Sequence, residues 1–352
     1  MLSSRSRSSL LTWSGGLLVG TCIVMWAFRD SNVVSISRLL LSMKASALVI
    51  LIPFLAIVFM DSIAWRILFR VLGVTPPLGT LAVVRTAGEA IVLTMPGGVA
   101  AAESLKPILL QRTMALDISI GSAAVFAKKC FVAVSQGTYV LVGLIAGSLV
   151  LTRWQTELAG KPLFTTAMAV AGFVLFAAGI GGLMVGFSGP GSPLMQRLIR
   201  LAPTRKWDLP VRSFLERTSD AMKGFRRLDI RDAAKVLGLL IVAWLLESVE
   251  SYLTLMLLGV RMPFQQVLPI EIGVSLLRSL VFVVPGGIGV QELSIATLFS
   301  LAGISDPVNT AAAFTVLRRM KELIIVVSGL GMIAFIMRKK KAAPLAEHIT
   351  GE

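Results

Sequence analysis

The sequence has few of the residues from which most metal centres, disulfide frameworks and nucleophilic catalytic sites are built. It contains two cysteines, Cys22 and Cys130, and both lie in apolar segments, which gives no basis for a disulfide framework or a CxxC metal site. The single histidine, His348, lies in the polar C-terminal tail, where a metal-binding or catalytic role is not expected. The motifs G-x-S-x-G and H-E-x-x-H are absent. We therefore expect no metal, no cofactor and no enzymatic activity.

Charged residues are also scarce. Only 15% of the 352 residues are charged, 55% are hydrophobic, and the mean hydropathy is +0.83. These values exclude an ordinary soluble domain and indicate a polytopic membrane protein. Several windows exceed the ~18 apolar residues that are needed to cross a hydrocarbon core of roughly 30 Å.

Acidic residues are outnumbered by basic ones, 19 against 34, and the net charge is +15. The basic residues concentrate in Arg5 and Arg7, in the segment 197–235 and in the tail from Arg338 to Lys341. Positive charge between spans marks the cytoplasmic side. The distribution therefore argues against nucleic acid as a partner, and it predicts a multi-pass protein of the bacterial inner membrane with both termini in the cytoplasm.

One short pattern, P-G-G-[VI]-x-x-x-E, occurs twice inside long apolar segments. The first copy contains Pro96, Gly97, Gly98 and Glu103, and the second contains Pro285, Gly286, Gly287, Gly289, Gln291 and Glu292. Proline removes a backbone donor and paired glycines permit unusual backbone angles, so we expect a helix break at each copy. Within a bilayer, such breaks are tolerated only where protein or a water-filled cavity satisfies the freed backbone groups. The pattern therefore predicts a site inside the membrane.

The hydropathy pattern predicts an all-α integral membrane fold with about six full spans, near residues 10–28, 45–70, 118–151, 162–187, 233–258 and 308–337. The arms on either side of the first break, 80–95 and 104–116, reach only about 20–24 Å, which favours a re-entrant hairpin over two full crossings. The arms of the second break lie near 267–284 and 291–303, and we expect a second re-entrant hairpin there. The predicted organisation is an N-terminal span and interfacial segment (1–44), a first unit (45–187, hairpin 78–116), a cytoplasmic basic amphipathic segment (188–232), a second unit (233–337, hairpin 266–303) and a basic cytoplasmic tail (338–352).

The central basic segment carries an apolar helical face formed by Val211, Phe214, Leu215, Thr218, Met222 and Phe225. We expect this helix, within the basic stretch 197–235, to lie on the anionic inner leaflet. The alternative is a solvated linker helix.

The two units share further features in the same order. The sequence Leu-Gly-Val precedes each break, as Leu72-Gly73-Val74 and as Leu258-Gly259-Val260. After each break, an Ala-rich tetrapeptide that ends in Phe126 or Phe314 precedes two adjacent basic residues, Lys128-Lys129 or Arg318-Arg319. By the predicted topology, the first unit starts outside and the second starts inside. This predicts the inverted-repeat plan of many secondary transporters, whose broken helices meet near the midplane of the membrane.

Ionisable residues at membrane depth are costly and are usually paired or functional. Arg85 and Glu89 are spaced i, i+4, Glu103 and Lys106 i, i+3, and Glu247 and Glu250 i, i+3. Glu292 has no such local base, and its candidate partners are Arg278, Arg318, Arg319 and Lys321. Exposed backbone N–H groups at the breaks, with Lys106, Arg112, Lys128, Arg278 and Arg318, predict a site for an anionic headgroup such as a phosphate. The alternative is that these groups serve helix packing, capping and internal pairing alone.

The Pro285-Gly286-Gly287-Ile288-Gly289-Val290-Gln291-Glu292 stretch, in a membrane protein of this length with a basic tail, resembles the lysylphosphatidylglycerol synthase transmembrane-region family, also called flippase-like. The resemblance covers about residues 40–337 and is sharpest at this second motif. The first motif differs, because Ala100-Ala101-Ala102-Glu103-Ser104-Leu105-Lys106 stands where the family has a Gly-Gly-Glu type stretch followed by Arg. The substrate of this branch therefore stays open.

The resemblance implies movement of a lipid or lipid-linked headgroup between leaflets, without synthesis. In bifunctional relatives aminoacyl transfer belongs to an added soluble domain, and no soluble stretch here exceeds 188–232. We therefore predict a flippase for an anionic phospholipid or a polyprenyl- or hopanoid-type lipid, working by alternating access, with proton coupling through Glu103 or Glu292 as a hypothesis. The alternatives are an intramembrane lipid-modifying enzyme, a secondary transporter of a small anionic solute, and a non-transporting scaffold of a lipid pathway.

Overall fold

A computed structural model describes residues 48–148, 151, 163–188, 208–280 and 285–338. These residues form ten α-helices, two 3₁₀ turns between helices and no β-strand, as expected for an all-α polytopic membrane protein. The helices are α1 (Leu51–Val71), α2 (Leu78–Thr94), α3 (Gly98–Met114), α4 (Ile118–Ala146), α5 (Leu163–Ser188), α6 (Asp208–Lys223), α7 (Ile230–Leu257), α8 (Phe264–Leu280), α9 (Val290–Leu301) and α10 (Pro307–Arg338).

Five of the described helices, α1, α4, α5, α7 and α10, are long and apolar enough to cross a membrane. They correspond to the last five of the six predicted spans. The first predicted span, the interfacial segment after it, residues 189–207 of the central basic segment and the C-terminal tail lie outside the described residues.

The remaining helices in the two units are short and form two hairpins, which we call the first hairpin (α2 and α3) and the second hairpin (α8 and α9). Helices α2, α3 and α8 have 17 residues each and α9 has 12. At 1.5 Å per residue the longer arms reach about 25 Å. Helix α3 begins at Gly98, six residues before the predicted start of its arm, so Glu103 lies in its second turn. A re-entrant path for the hairpins stays a prediction.

Both helix breaks use backbone angles that favour glycine. Gly97 has φ +62° and precedes α3, and Gly286, Gly287 and Gly289 have φ +58°, +63° and +89°. Residues with a Cβ atom are strained in this left-handed region. The chain can therefore turn at little cost at each Pro-Gly-Gly sequence, through one such glycine at the first break and three at the second.

The two Leu-Gly-Val sequences adopt the same turn after the first helix of each unit. Gly73 and Gly259 have φ +78° and +79°. The N–H of Val74 donates to Phe69 O at 3.1 Å, and the N–H of Val260 donates to Leu255 O at 2.9 Å. This is the hydrogen bond of a Schellman motif, which caps the carbonyl groups at the end of α1 and of α7.

The corresponding helices α1 and α7 lie side by side and run in opposite directions. The C-terminal half of α1 packs on the start of α7, where Leu68 shares an apolar cluster with Val236 and Leu240. The N-terminal half of α1 meets the end of α7, where Phe54 lines a pocket with Glu250. Opposite orientation of equivalent helices is what an inverted repeat requires. The inverted repeat itself stays a prediction.

The amphipathic helix α6 packs against the bundle along its C-terminal half. Met222 and Phe225 of the predicted apolar face are buried in a cluster with Ala123, Ala127 and Phe131 of α4. These two side chains therefore face protein, although the sequence predicts a face for the lipid surface. Basic side chains near them stay exposed, namely Arg217, Lys223, Arg226, Arg227, Arg231 and Lys235.

Glycines on α4 and α5 allow these two spans to approach closely. A methyl group added at Gly137 would lie 2.6 Å from both Gly172 O and Phe176 N of α5. We expect Gly137→Ala to destabilise the purified protein by about 1–3 kcal/mol, because the clash is with backbone and the helices must move apart. Thermal unfolding in detergent measures this change.

Gly181→Ala is the matched control, since nothing lies within 4 Å of an added methyl group at Gly181 of α5. There the loss of chain entropy in the unfolded state predicts a gain of about 0.4–1 kcal/mol. Equal unfolding temperatures for the two variants would contradict the close packing of α4 on α5.

Candidate functional site

A cavity of about 280 Å³, which we call the main cavity, lies where the two units meet. Its wall combines charged and apolar side chains from α1, α2, α3, α4, α7 and α8. The charged members are Asp61, Arg85, Glu89, Glu103, Lys106, Lys128, Lys129, Glu247 and Arg278. The apolar members include Ile57, Val92, Leu93, Val99, Val125, Val132, Leu240 and Ala243. Five bases against four acids give the wall a formal charge of +1.

The two Pro-Gly-Gly breaks meet at this cavity. Gly98 from the first break and Gly286 and Gly287 from the second all line it. A methyl group added at Gly286 would lie 3.2 Å from the carbonyl oxygen of Leu93, close to the end of α2. The breaks are thus adjacent and border a polar space, which is the environment that unpaired backbone groups need in a membrane.

Asp61 of α1 pairs with two basic residues of the first unit. Its Oδ2 accepts from Lys128 Nζ at 2.7 Å and from Arg85 Nε at 3.1 Å. Lys128 Nζ also lies 4.7 Å from the centre of the Trp65 ring, a cation–π contact. The predicted pair of Arg85 with Glu89 is longer, at 3.8 Å, so Arg85 is held mainly by Asp61.

Glu103 pairs with bases on two helices. Lys106 Nζ of α3 donates to its Oε1 at 2.8 Å, the predicted i, i+3 contact, and Lys129 Nζ of α4 lies 3.7 Å away. The Lys129 side chain is 50% exposed. This base is therefore the least constrained cation on the cavity wall.

Glu292 is held more tightly at the second break. Its Oε2 accepts from the backbone N–H of Gly289 at 2.7 Å and so caps α9. Its Oε1 accepts from Arg319 Nε at 2.9 Å and Nη2 at 2.5 Å. Arg319 also donates to Gly286 O at 3.2 Å and to Glu322 at 2.5 Å. Of the four candidate partners, Arg319 is the one that pairs with Glu292.

Arg318 and Lys321 pair with other carboxylates. Arg318 Nη2 donates to Glu271 Oε1 at 2.8 Å, and Ser251 Oγ donates to the same carboxylate at 2.5 Å. Lys321 of α10 pairs with Glu250 of α7. Arg278 lies 3.4 Å from Glu247. A small pocket of about 40 Å³ adjoins these pairs and shares Arg85, Glu89, Glu247 and Arg278 with the main cavity.

The two units repeat one arrangement of charges. The first of two adjacent bases reaches a carboxylate in each unit, although on helices that are not equivalent, since Lys128 reaches Asp61 of α1 and Arg318 reaches Glu271 of α8. The second base reaches the glutamate that follows the break, as Lys129 faces Glu103 and Arg319 binds Glu292. The duplication seen in the sequence therefore extends to the contacts of the charged side chains.

Most of the predicted site residues come together, and some do not. Arg85, Glu89, Glu103, Lys106, Lys128, Glu247 and Arg278 line the main cavity with three of the predicted glycines, and Glu250 and Arg318 line the small pocket. Gln291, Glu292 and Arg319 border the second break, where Gln291 is buried beside Gly287. Pro96 and Gly97 form the first turn, Pro285 begins the second, and Gly289 precedes α9. Arg112 lies in the last turn of α3, away from both cavities.

Sequence reasoning missed several polar residues of this site. Asp61 and Glu271 are each the only acidic residue of their helix, and an isolated carboxylate at membrane depth is itself a signal of a buried partner. Trp244 and Gln136 also line the cavity. Trp244 Nε1 donates to Ser135 Oγ at 3.1 Å, and Gln136 Nε2 donates to Ser279 Oγ at 3.1 Å. Neither residue type in an apolar helix marks a site from sequence alone.

The arrangement suits an amphiphilic ligand with a negative group. Lys106, Lys129 and Arg278 face the cavity as donors, and cations in a site of low dielectric bind phosphate or carboxylate strongly. The apolar part of the same wall suits a hydrocarbon segment next to that group. Within the residues that the structure describes, no group of three or more His, Cys, Asp and Glu side chains could hold a metal ion.

Comparison with known families gives a match over most of the chain. The model described as Lysylphosphatidylglycerol synthase TM region matches residues 13–329. No curated protein and no solved structure matches the chain.

Proposed function

The chain belongs to the lysylphosphatidylglycerol synthase TM region family, and from that premise we propose that it moves a lipid with an anionic headgroup between the two leaflets. The cargo is an anionic phospholipid or a polyprenyl- or hopanoid-type lipid that carries a negative group. The chain transports this lipid without changing it chemically.

The single observation that carries the proposal is the mixed wall of the main cavity. Five basic side chains supply charge for a phosphate, and eight apolar side chains on the same wall suit the first part of a hydrocarbon tail. A soluble anion needs only the first set. The volume of the main cavity, about 280 Å³, suits a headgroup, so the acyl or prenyl chains would stay in the lipid.

The opposite orientation of α1 and α7 and the meeting of the two breaks support alternating access as the proposed mechanism. The second hairpin is tied to α10 by Arg319, and the first hairpin is tied to α1 by Arg85 and to α4 by the longer contact of Lys129 with Glu103. In the proposed cycle, the headgroup site between the breaks opens to one leaflet at a time.

The proposed setting is the bacterial inner membrane, with both termini in the cytoplasm. The exposed bases of α6, the 3₁₀ turn Gly224–Arg227 and the start of α7 lie at the same end of the bundle as Arg66 and Arg70 of α1. Because cytoplasmic loops carry excess Lys and Arg, this end faces the anionic inner leaflet in our proposal. The contact is by charge, since the apolar side of α6 packs on α4.

A secondary transporter of a small anion is the second candidate, because the basic part of the cavity would also bind inorganic phosphate. Reconstitution of the purified protein into liposomes that contain fluorescently labelled phosphatidylglycerol separates the two. We expect the labelled lipid to reach the opposite leaflet faster than in protein-free liposomes, as measured by quenching of the outer leaflet. Uptake of radiolabelled phosphate with no lipid movement would overturn the proposal in favour of the small-anion transporter.

A further inference from the structure

Two carboxylates of the bundle are much less well paired than the others. Asp61, Glu103, Glu250, Glu271, Glu292 and Glu322 each have a base nitrogen within 2.8 Å. Glu247 has Arg278 Nη2 at 3.4 Å, and Glu89 has Arg85 Nη1 at 3.8 Å. Both also line the main cavity and the small pocket, so they lie where the two spaces join.

The basic residues of the second unit compensate the negative charge of Glu247 only weakly. Glu271 and Arg278 of α8 and Arg318 and Lys321 of α10 act on it electrostatically. Arg318 is bound to Glu271 and Lys321 to Glu250, so their positive charges are largely compensated by nearer carboxylates. The long contact with Arg278 is thus the only ion pair of Glu247 among the described residues.

The first unit adds no closer base. On the same cavity wall, Arg85 and Lys128 are bound to Asp61, and Lys106 is bound to Glu103. Glu89 adds a second negative charge, and Lys129 is directed to Glu103. Tyr139 of α4, which packs on α7, donates to or accepts from Ser248 at 2.7 Å and is not free to support Glu247.

A carboxylate in a low-dielectric site loses its solvation, and a single hydrogen bond of 3.4 Å restores only part of it. The neutral acid needs less compensation. Glu247 is 24% exposed on the cavity side, so water in the cavity reaches it. Glu247 and Glu89 are therefore the two bundle carboxylates for which proton uptake costs the least free energy. Of the two, only Glu247 accepts a hydrogen bond from a cavity base, Arg278, and protonation would release that base.

We propose that Glu247 is a proton-binding site coupled to anion binding. A hydronium ion in the cavity transfers a proton to one Glu247 oxygen, so that one hydronium O–H bond breaks, an O–H bond forms on Glu247 and a water molecule is left. The Arg278 guanidinium then loses its carboxylate partner and becomes free to bind the phosphate of a headgroup. When the cavity faces the other leaflet, the phosphate leaves, Arg278 returns to Glu247, and the proton passes back to water. This coupling rests on the proposed function for its role in transport, although proton binding and anion binding stand without it.

Binding of a short-chain phosphatidylglycerol to the purified protein in detergent, measured at acidic and at alkaline pH, tests the coupling. We expect wild-type affinity to be about tenfold higher at acidic pH, a coupling of ordinary size between two sites. Glu247→Gln mimics the neutral acid and is expected to bind at both pH values as tightly as the wild type does in acid. Glu216→Gln on the exposed side of α6 is the matched control and keeps the pH dependence.

Infrared difference spectra between acidic and alkaline samples measure carboxyl protonation directly. This readout does not depend on lipid binding. A protonated-carboxyl band present in the wild type and missing in Glu247→Gln supports the site. If Glu247→Gln folds poorly, Glu247→Asp replaces it and is expected to retain the band and the pH dependence.

A pH dependence of binding that persists in Glu247→Gln would overturn the inference. If the protein moves lipid in liposomes but binds short-chain phosphatidylglycerol equally well at both pH values, the proton site is wrong and the proposed function stands. Conversely, pH-dependent binding that is lost in Glu247→Gln, with no lipid movement, would support the proton site and remove the proposed function.

Discussion

Replacing Arg318 with methionine is expected to lower the stability of the purified protein by about 3–5 kcal/mol, the usual cost of breaking a buried ion pair. The Glu271 side chain is 1% exposed and the Arg318 side chain is 7% exposed. Without the guanidinium, the Glu271 carboxylate keeps only the hydrogen bond from Ser251 Oγ. A buried charge with one neutral donor is not compensated, so α8 and α10 should separate more easily. Thermal or denaturant unfolding in detergent measures the effect.

The double variant Arg318→Met with Glu271→Leu is the informative comparison. Removing both charges leaves neither buried ion uncompensated, so most of the lost stability should return. Lys235→Met serves as the surface control, because its pair with Asp232 is exposed and is expected to contribute less than about 1 kcal/mol. A loss in Arg318→Met no larger than that of Lys235→Met would show that the pair does not join α8 to α10.

Lys129→Ala is expected to reduce transport of labelled phosphatidylglycerol about 10- to 100-fold while leaving stability nearly unchanged. Lys129 lines the main cavity, its side chain is 50% exposed, and its nearest carboxylate is 3.7 Å away. Its removal therefore costs little folding energy. A charge-assisted hydrogen bond to a bound phosphate contributes about 1.5–3 kcal/mol, which corresponds to the expected loss in rate if it forms at the rate-limiting step.

Lys223→Ala is the control for Lys129→Ala, since Lys223 is an exposed base on α6 outside both cavities. Its transport rate should match that of the wild type. An equal drop in both variants would indicate that overall positive charge recruits the lipid and that the cavity does not. An unchanged rate in Lys129→Ala would remove this base from the headgroup site.

The sequence predicts the helix breaks and most of the spans because their causes are local. Pro96-Gly97-Gly98 and Pro285-Gly286-Gly287 end helices wherever they occur, and apolar runs of sufficient length span a membrane in any fold. The sequence predicts the start of α3 six residues too late, because Gly98 to Ala102 are compatible with either a loop or a helix. Tertiary packing decides between them.

The partners of the charged residues are less predictable, because each pair joins helices that are distant in sequence. Four bases were equivalent candidates for Glu292, and only the rotation of α10 places Arg319 against it and directs Arg318 to Glu271. The same reason explains α6, whose apolar residues suit a lipid surface and a protein surface equally well. Hydrophobic periodicity predicts which face of a helix is buried, but it does not predict whether that face lies against protein or against lipid.

The matching of charges between the helices bears on how the membrane potential would act on the proposed transport cycle. Eight acids and eight bases pair there: Asp61, Glu89, Glu103, Glu247, Glu250, Glu271, Glu292 and Glu322, with Arg85, Lys106, Lys128, Lys129, Arg278, Arg318, Arg319 and Lys321. A lone monovalent headgroup crossing the bilayer would experience about 2.3 kcal/mol of electrical work per 100 mV. One that travels with a proton crosses as a neutral pair, and the voltage across the membrane would then neither drive nor oppose its passage.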